Sequence, residues 1–486
     1  MKKLFIVPII IFALASCSKN DEPKNNYSVV NQFIYDGMSL YYLWADDMPA
    51  NQNVTSEPVA YFTSLLNATD QQQGWSFITD DVQSLLAQFA GEPLDFGYDL
   101  IFAKTPTAGE YVAIVKYVYP NTPAAAAGIK RLDLISKING QPITANNYYA
   151  LFGSETISLS MCDFDLQIID SKTITPAKIE TNPVLYSNIY EVNGKKIAYL
   201  FYTSFIENYN NKLYETFQNF KQQGVTDLVL DLRYNHGGHV SAAVYLASLV
   251  APRSAVESRS AYVTMTYNSF LTNEFKRGGI DTNDYLGIYN FQFPNPLDAN
   301  LDLNKIYIIA TDDSYSAAEL TAFGLKAYMN VTHIGGKTGG KYTASTTLHA
   351  YDNNIGIPIY TESSLSTADK KTLENWAIQP IVAIYGDKNG KNFSNPGYLQ
   401  PDVECEEGFG YLSNWKPIGD TDDTFLGEAI YAITGNESYK PQNINMIRET
   451  ENTTPRLHPA ELKNPKQINN SLIINRFPAA KLVNSE

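Results

Sequence analysis

Hydrophobic residues follow two different periods along the first part of the chain. From residue 27 to about 88 they recur near the spacing of an amphipathic helix, as in VVNQFIYDGMSLYYLW. The later segments FGYDLIFA and EYVAIVKYVY are instead rich in aromatic and β-branched residues, a composition that is typical of strands. These patterns predict a small N-terminal helical region over residues 27–90 and a strand-rich domain over residues 91–175.

Apolar strands alternate with amphipathic helices from about residue 185. The segments that read as strands are KKIAYLFYTSF, TDLVLDLR, KIYIIAT and NVTHIGG, and those that read as helices are NNKLYETFQNFKQQG, VSAAVYLASLV and SAAELTAFGLKAYM. The alternation predicts an α/β domain over residues 185–435 with a largely parallel sheet. Residues 252–304 interrupt it as a long insertion, which in compact domains is usually functional or flexible. We therefore predict an α/β, multi-domain fold with a polar tail over residues 436–486.

The first residues have the pattern of an export signal. Two lysines precede an apolar run that is too short to span a bilayer as a helix. Leu14-Ala-Ser-Cys17 then resembles a bacterial lipobox, in which Cys17 would carry the lipid, although an ordinary signal peptide with an incidental cysteine is the alternative. We expect a lipoprotein signal over residues 1–17, a polar tether over residues 18–26, and a location in the bacterial cell envelope, on its periplasmic or cell-surface face.

Composition and charge exclude some classes of partner. The 486 residues include 36 basic and 51 acidic ones, for a formal charge of −15. A nucleic-acid surface would need clustered lysine and arginine, so we expect no nucleic acid, and membrane contact through the lipid anchor only. Acidity mainly favours solubility. Two further cysteines, Cys162 and Cys405, could form one disulfide, but the sequence does not place them within bonding distance.

Ser316 is the first candidate for chemistry. Ser316-Ala-Ala-Glu319 follows an apolar run and has the pattern of a capping box at the start of a helix. A serine in this place is either only a cap or a nucleophile at a strand-to-helix turn. A nucleophilic serine needs a base and hydrogen-bond donors for the oxyanion, and none of the five histidines lies in a recognisable triad motif.

Two glycine-containing turns offer the missing groups. Gly335-Gly-Lys-Thr-Gly-Gly-Lys341 follows the NVTHI strand, and a lysine serves as a base where a low-dielectric site removes its charge. Spacing alone also fits a solvated loop lysine, and the order of a phosphate-binding loop is absent. Asp231-Leu-Arg-Tyr-Asn-His-Gly-Gly238 ends another strand, and its glycine N–H groups form either an anion site or a tight turn.

Residues 120–143, PNTPAAAAGIKRLDLISKINGQPI, resemble PDZ domains. The shared features are Pro-x-x-Pro-Ala, Ala-Gly-Ile, Asp-x-Ile and Ile-Asn-Gly in this order, and the resemblance covers about 80 residues. It implies a loop whose backbone N–H groups receive the C-terminal carboxylate of a peptide. The residues of this loop would be Phe96, Gly97, Tyr98 and Asp99.

Taken together, the three catalytic candidates and the PDZ-like segment resemble the C-terminal processing peptidases, the tail-specific proteases with a Ser–Lys dyad. The resemblance covers roughly residues 92–435 and includes NPGYLQPDVE. It implies a crotonase-like α/β core, with Ser316 as the nucleophile and Lys341 as the general base. It also implies an oxyanion hole of Gly237, Gly238 and the N–H of Ala317, with Glu319 and Thr338 as supporting residues. No metal and no cofactor are expected.

Two positions depart from the family pattern. Ser345 stands where the family often has a glutamine four residues after the lysine, and its hydroxyl would orient the amine with a shorter reach. His236 follows the family's turn asparagine, Asn235, in place of the commoner proline or glycine. It would either touch substrate or be a partly exposed turn histidine.

The resemblance implies a serine peptidase that cleaves extended protein or peptide substrates with apolar C-termini in the cell envelope, through an acyl-enzyme. One alternative is another Ser–Lys acyl hydrolase that acts on peptidoglycan or small amides. The other is a PDZ scaffold whose peptidase domain has lost its activity. The natural substrate and the oligomeric state cannot be inferred from the sequence.

Overall fold

The computed structural model describes residues 27–50, 55–407, 412, 415–441, 457–460, 462 and 472–474. The predicted lipidation site at Cys17, with its signal and tether, lies outside the described residues, as does most of the polar tail. The described part has the predicted α/β, multi-domain fold class. No helix in this part is long and apolar enough to cross a membrane.

The N-terminal region is mainly helical, as its periodicity predicts. Its elements are α1 (Ser28–Tyr41), α2 (Pro58–Ser64), α3 (Ala68–Gln73), β1 (Phe77–Thr79) and α4 (Val82–Ala90). Side chains stabilise the helix starts, since Glu57 accepts hydrogen bonds from the first N–H groups of α2 and Asn67 does so for α3. The short strand β1 was not predicted.

This region is not a separate folding unit, because its core continues into the α/β domain. Phe33 and Ile34 of α1 are fully buried in the same hydrophobic cluster as Leu230 and Leu246, which belong to that domain. The N-terminal helices therefore cover one face of the larger domain. A boundary near residue 90 separates sequence patterns but does not separate cores.

The next region, here called the strand-rich unit (residues 94–178), has its own core. Its elements are β2 (Leu94–Asp95), β3 (Tyr98–Lys104), β4 (Tyr111–Val118), α5 (Pro123–Ala126), β5 (Leu134–Ile138), β6 (Gln141–Pro142), β7 (Ile157–Cys162), β8 (Ile168–Ile174) and β9 (Ala177–Lys178). Phe96, Leu100, Ile135 and Leu159 are buried within it. The strands and the alanine-rich helix agree with the predicted elements, and the PDZ-like assignment stays a prediction. Cys162 and Cys405 are free thiols, so no disulfide joins them.

The α/β domain carries a central sheet in which β10 is antiparallel to its neighbour and the other strands are parallel. The order is β10 (Val184–Val192), β11 (Lys195–Tyr202), β12 (Asp227–Asp231), β16 (Lys305–Ala310), β17 (Asn330–Gly335) and β23 (Val403–Glu404). The helices are α6 (Asn210–Gln222), α7 (Val240–Val250), α8 (Arg253–Glu257), α9 (Ser269–Gly278), α10 (Pro296–Ala299), α11 (Ala317–Gly324), α12 (Thr367–Leu373) and α13 (Thr424–Thr434). Helix α7 is buried at nearly every position, which explains its uniformly apolar sequence.

A second sheet stands beside the first and includes the long insertion. Its order is β13 (Gly238–His239), β25 (Leu472–Ile473), β18 (Thr343–Ser345), β22 (Ile381–Gly386), β14 (Ala261–Tyr267) and β15 (Asp284–Tyr285). The remaining strands are β19 (Leu348–His349), β20 (Ile357–Pro358), β21 (Ala377–Gln379) and β24 (His458–Pro459). Because β14 lies within the insertion and pairs with β22, much of residues 252–304 is regular structure rather than a flexible loop.

The central sheet brings the three candidate segments to one edge. Strands β12, β16 and β17 are parallel, and each is followed by one of the segments identified in the sequence. The carboxyl ends of parallel strands form the edge at which open α/β sheets bind their ligands. The Asn235 turn, Ser316 and the glycine-rich loop therefore lie together in space although they are distant in the chain.

Candidate active site

Ser316 sits at a strained turn between β16 and α11. Its backbone has φ 62° and ψ −111°, a combination that residues with a side chain rarely adopt. The side chain is buried, and its hydroxyl has no hydrogen-bond partner among the described residues. Strain of this kind persists where the surrounding structure enforces it and clusters at functional sites.

Glu319 joins the turn of Ser316 to the loop of Lys341. Its Oε2 accepts hydrogen bonds from the backbone N–H of Ser316 and of Lys341, each at 2.7 Å. Its Oε1 accepts from the N–H of Gly340 at 2.8 Å and from the hydroxyl of Thr338. The predicted capping box is thus present through its carboxylate, while burial raises the pKa of Glu319. One carboxylate therefore holds both predicted catalytic residues in register.

Lys341 is fully buried, which rules out the solvated loop lysine. Burial lowers its pKa to about 7, against the opposing effects of the Asp70 and Glu319 carboxylates, which raise it. A lysine in this state is partly neutral near neutral pH and can accept a proton. This is the property that a general base requires.

Asp70 is a buried acid near Lys341 that sequence analysis missed. It lies on α3, and its carboxylate accepts hydrogen bonds from the hydroxyl of Tyr42 at 2.8 Å and from the hydroxyl of Ser76 at 2.6 Å. The backbone N–H of Ser76 donates to the same carboxylate at 2.8 Å. The N-terminal region therefore contributes a charge to the surroundings of the candidate base.

Tyr385 on β22 was also missed. Its buried hydroxyl lies 2.8 Å from the carbonyl oxygen of Lys341 and 3.2 Å from that of Ser316, and it donates towards both. Burial raises the pKa of Tyr385, so the hydroxyl keeps its proton. Tyr385 therefore contacts the backbone of both candidate residues through their carbonyl groups, whereas Glu319 contacts their N–H groups.

The glycine pair lies against Ser316, but one prediction about it needs correction. The N–H of Gly237 donates to Asn235 Oδ1 at 2.8 Å and is therefore not free for an oxyanion. A methyl group at Gly237 would lie 2.7 Å from Ser316 Cβ, so this glycine keeps space open beside the nucleophile. The N–H groups of Gly238 and Ala317 stay the predicted donors, and Ala317 begins α11, whose dipole favours negative charge there.

The predicted supporting residues have identified contacts. Thr338 contacts Glu319, and its hydroxyl oxygen also accepts from the N–H of Leu399 at 2.8 Å. Ser345 is buried on β18, where its Oγ accepts from Nε2 of Gln379 at 3.1 Å. Gln379 in turn accepts from the hydroxyl of Thr347 at 2.6 Å. A glutamine from a distant strand therefore orients the serine that replaces the family's usual glutamine.

His236 lies in the turn of residues 235–238, here called the glycine turn. It takes part in a chain of charged side chains that links the strand-rich unit to this turn. Its Nε2 lies 2.6 Å from Oδ1 of Asp313, and Nζ of Lys116 lies 2.7 Å from Oδ2 of the same aspartate. Lys116 also pairs with Asp99 at 2.7 Å. Burial alone would raise the pKa of Asp313, but the charges of Lys116 and His236 lower it. His236 also lines the adjoining cavity, so its contact with a substrate stays a prediction beside this ion pair.

The predicted carboxylate-binding loop lies beside the same cavity. Phe96 is buried in the core of the strand-rich unit, and the N–H of Gly97 donates to Asp95 Oδ1 at 2.9 Å. One of the predicted donors is thus already occupied by a carboxylate of the chain itself, and Asp99 is paired with Lys116. Tyr98 and Asp99 line the cavity, and the role of the loop in peptide binding stays a prediction.

A cavity of about 230 Å³ extends from this loop to the glycine turn. Its lining includes Tyr117 and Tyr119 on one side and Phe205, Gly238 and Ile473 on the other. It therefore connects the strand-rich unit with the turn that carries Gly238, the predicted oxyanion donor. Among the described residues, no group of histidine, cysteine, aspartate or glutamate side chains has the arrangement to hold a metal ion.

Comparison with known proteins identifies two family segments. Residues 196–384 match peptidase family S41, and residues 29–77 match the peptidase S41 N-terminal domain. The carboxyl-terminal-processing protease of Picosynechococcus is 31% identical over 137 residues, which are 27% of this chain and 33% of that protein. The carboxy-terminal processing protease CtpA of Bacillus subtilis is 25% identical over 276 residues, 54% of this chain and 51% of that protein. The chain thus spans a third to a half of the length of these relatives.

A solved structure resembles more of the chain. It is that of a Bacteroides fragilis protein assigned to the S41 proteases, with 26% identity and a TM-score of 0.63. The match covers 83% of this chain and 97% of the other. The similarity therefore extends beyond the peptidase segment to the arrangement of most of the molecule.

Proposed function

Because the chain carries both segments of peptidase family S41 and belongs to that family, we propose that it is a serine peptidase that cleaves protein substrates through a Ser–Lys dyad. The observation that carries the proposal is the state of Lys341. This lysine is buried, its pKa is lowered to about 7, and Glu319 ties its backbone to that of Ser316. A solvated lysine would be protonated at neutral pH and could not serve as the base.

In the proposed mechanism, the neutral amine of Lys341 accepts the hydroxyl proton of Ser316 while Oγ attacks the carbonyl carbon of the scissile bond. The N–H groups of Gly238 and Ala317 stabilise the oxyanion of the tetrahedral intermediate. The Lys341 ammonium then returns the proton to the leaving amine as the C–N bond breaks, which leaves an acyl-enzyme on Ser316. A water molecule, deprotonated by Lys341, hydrolyses this ester and regenerates both side chains.

Substrates and location belong to the same proposal. The names of the Picosynechococcus and Bacillus relatives support processing at the carboxyl termini of proteins. The lipobox-like sequence at Cys17 supports action in the cell envelope, from a lipid anchor. The cavity between the strand-rich unit and the glycine turn is large enough to receive part of an extended chain.

The test combines active-site labelling with hydrolysis. A fluorophosphonate should label the wild-type protein and should not label Ser316→Ala. Hydrolysis of an unfolded protein should fall by at least about 10³-fold in Ser316→Ala, in Lys341→Ala and in the double variant alike, because the pair acts as one unit. Lys341→Arg should stay inactive, because guanidinium remains charged.

The pH dependence and the controls complete the test. Turnover by the wild type should rise as pH increases through about 7, where Lys341 loses its proton. The exposed Ser363→Ala and Lys371→Ala variants should match the wild type. Labelling of wild type and Ser316→Ala to the same extent, or no labelling of either, would contradict the proposal, and the second result would favour the scaffold that has lost its activity.

A further inference from the structure

Residues 472–474, here called the tail strand, pair with strands at the candidate active site. Strand β25 lies between β13 and β18 in the second sheet, parallel to both. Leu472 pairs with Gly238, and Ile473 pairs with His239 on one side and with Ser345 on the other. The N–H of Ile474 donates to the carbonyl oxygen of Ser345 at 3.0 Å.

Both neighbours of this strand belong to the candidate catalytic machinery. Strand β13 begins at Gly238, the predicted oxyanion donor, and β18 begins shortly after Lys341 in the chain. An extended peptide between these strands thus pairs with Gly238, the predicted donor, and with Ser345, which follows the candidate base by four positions in the chain. Binding of an extended peptide as a further strand of a sheet is a general mode of recognition, in which the backbone gives affinity and alternate side chains give selectivity.

The side chains of the tail strand alternate between two cavities. Ile473 is 7% exposed and lines the cavity that contains Phe205 and Gly238. Ile474 is 8% exposed and lines a smaller cavity with Val240 and Tyr289. Successive side chains of a strand point to opposite faces of the sheet, as these two isoleucines do. Ile473 therefore lies where the side chain of a bound substrate would enter this cavity.

We propose that residues 472–474 occupy the substrate-binding strand site, so that the chain's own tail competes with substrates. The inference rests on the proposed peptidase function. It defines the ligand class of the site as an extended peptide with a branched aliphatic side chain in the cavity beside Phe205. Because the tail is covalently attached, its effective concentration at the site is high, and it excludes substrates that bind weakly.

The test is Ile473→Asp in the full chain. A carboxylate in this buried position cannot keep the strand in place, so kcat/KM for an unfolded protein substrate should rise on the order of tenfold. The rate at which a fluorophosphonate labels Ser316 should rise with it. The matched control is Ile169→Asp, because Ile169 is 66% exposed on the strand-rich unit. Its kinetics should equal those of the wild type.

A peptide added in trans provides the second arm. A synthetic peptide with residues 469–477 should inhibit Ile473→Asp competitively and should inhibit the wild type less, because the wild-type site is already filled. The same peptide with aspartate at the position of Ile473 should not inhibit either protein. Circular dichroism and thermal unfolding of the variant are measured alongside, so that a misfolded protein is recognised.

Each remaining outcome is decisive. If a folded Ile473→Asp hydrolyses and is labelled at the wild-type rate, the tail does not compete, while the proposed peptidase function stands. If intact mass shows that the chain is cleaved at residues 472–474, the tail is a substrate rather than a restraint, and the inference fails. If neither the wild type nor Ile473→Asp is labelled or active, the proposed function itself fails, and this inference fails with it.

Discussion

Lys341 shows how the cost of burying one amine becomes part of a site. In the unfolded chain a lysine has a pKa of about 10.4, whereas the folded protein lowers that of Lys341 to about 7. Between these two values the unfolded state binds more protons than the native state. The free energy of unfolding therefore increases with pH across this range, and the full penalty applies at pH 7 and below.

Lys341→Met should for this reason stabilise the protein while abolishing its activity. At pH 7 the gain in the free energy of unfolding should be about 3–5 kcal/mol, and it should shrink steadily as pH rises towards 10. Urea unfolding at several pH values measures it. The control is Lys371→Met, whose lysine is 78% exposed and should give a small difference that does not follow this trend. A gain that is independent of pH would contradict the burial argument.

The backbone of Ser316 allows a second prediction at this scale. Both Ser316→Ala and Ser316→Gly remove the nucleophile, but only glycine adopts a positive φ without strain. We expect Ser316→Gly to be more stable than Ser316→Ala by about 1 kcal/mol, because the strain relieved exceeds the entropy that glycine adds to the unfolded chain. Chemical denaturation of both variants measures the difference. Equal stability would mean that the turn is not strained.

Local sequence showed Ser316 and Glu319 as a capping box, whereas the predicted roles of Lys341 and Thr338 came from the family resemblance. Tyr385 could not be predicted in the same way. It is one of 34 tyrosines, on a strand that resembles any other buried strand. Its role arises only when the fold brings its hydroxyl to two carbonyl groups that are far away in the sequence. The occupied N–H of Gly237 likewise depends on a side-chain conformation that no motif encodes.

At the scale of elements, Glu319 connects the first turn of α11 with the loop that precedes β18. The carboxylate of Glu319 accepts four hydrogen bonds, three from backbone N–H groups and one from the hydroxyl of Thr338. In Glu319→Gln, one carboxylate oxygen becomes an NH₂ group, which is a donor and would face these N–H groups. We expect this variant to lose about 2–4 kcal/mol of stability and most of its turnover. Thermal unfolding and hydrolysis rates measure both. Glu155→Gln, at an exposed position, is the control, and wild-type turnover by Glu319→Gln would refute the positioning role.

Long elements with a clear period were predicted well, whereas very short ones were not. The strands at 227–231 and 305–310 and the helix at 240–250 follow from runs that only a buried strand or helix can accommodate. Strands β13 and β25 consist of two residues each, and their pairing is set by distant partners. The regular structure of the insertion was missed for a related reason, since β14 becomes regular only by pairing with β22.

At the scale of the whole molecule, Lys116 joins the strand-rich unit to the peptidase region. It lies on β4, is buried, and pairs with Asp99 of its own unit and with Asp313 of the loop before Ser316. Lys116→Met would leave two carboxylates without this partner, and loss of one member of a buried pair costs about 3–5 kcal/mol. We expect lower stability in urea and reduced turnover. Neutralising the partners as well, in Lys116→Met/Asp99→Asn/Asp313→Asn, should recover much of the stability.

The matched control for this pair is Lys178→Met, since Lys178 belongs to the same unit and is well exposed in its contact with Glu92. An unchanged free energy of unfolding in Lys116→Met would show that the two regions do not depend on this contact. The sequence could not reveal the link, because Lys116 and Asp313 are 197 positions apart and neither lies in a recognisable motif. The common core of the N-terminal helices and the α/β domain was hidden for the same reason.

Strand β25 follows Ser316, Glu319 and Lys341 in the chain, so it is synthesised after them. A nonsense or frameshift mutation between the codons for Leu462 and Leu472 would remove this strand and leave Ser316, Lys341 and Glu319 unchanged. Here, an allele that ends between Leu462 and Leu472 is expected to be dominant, because a peptidase without its tail would act on substrates that the intact protein beside it leaves uncut.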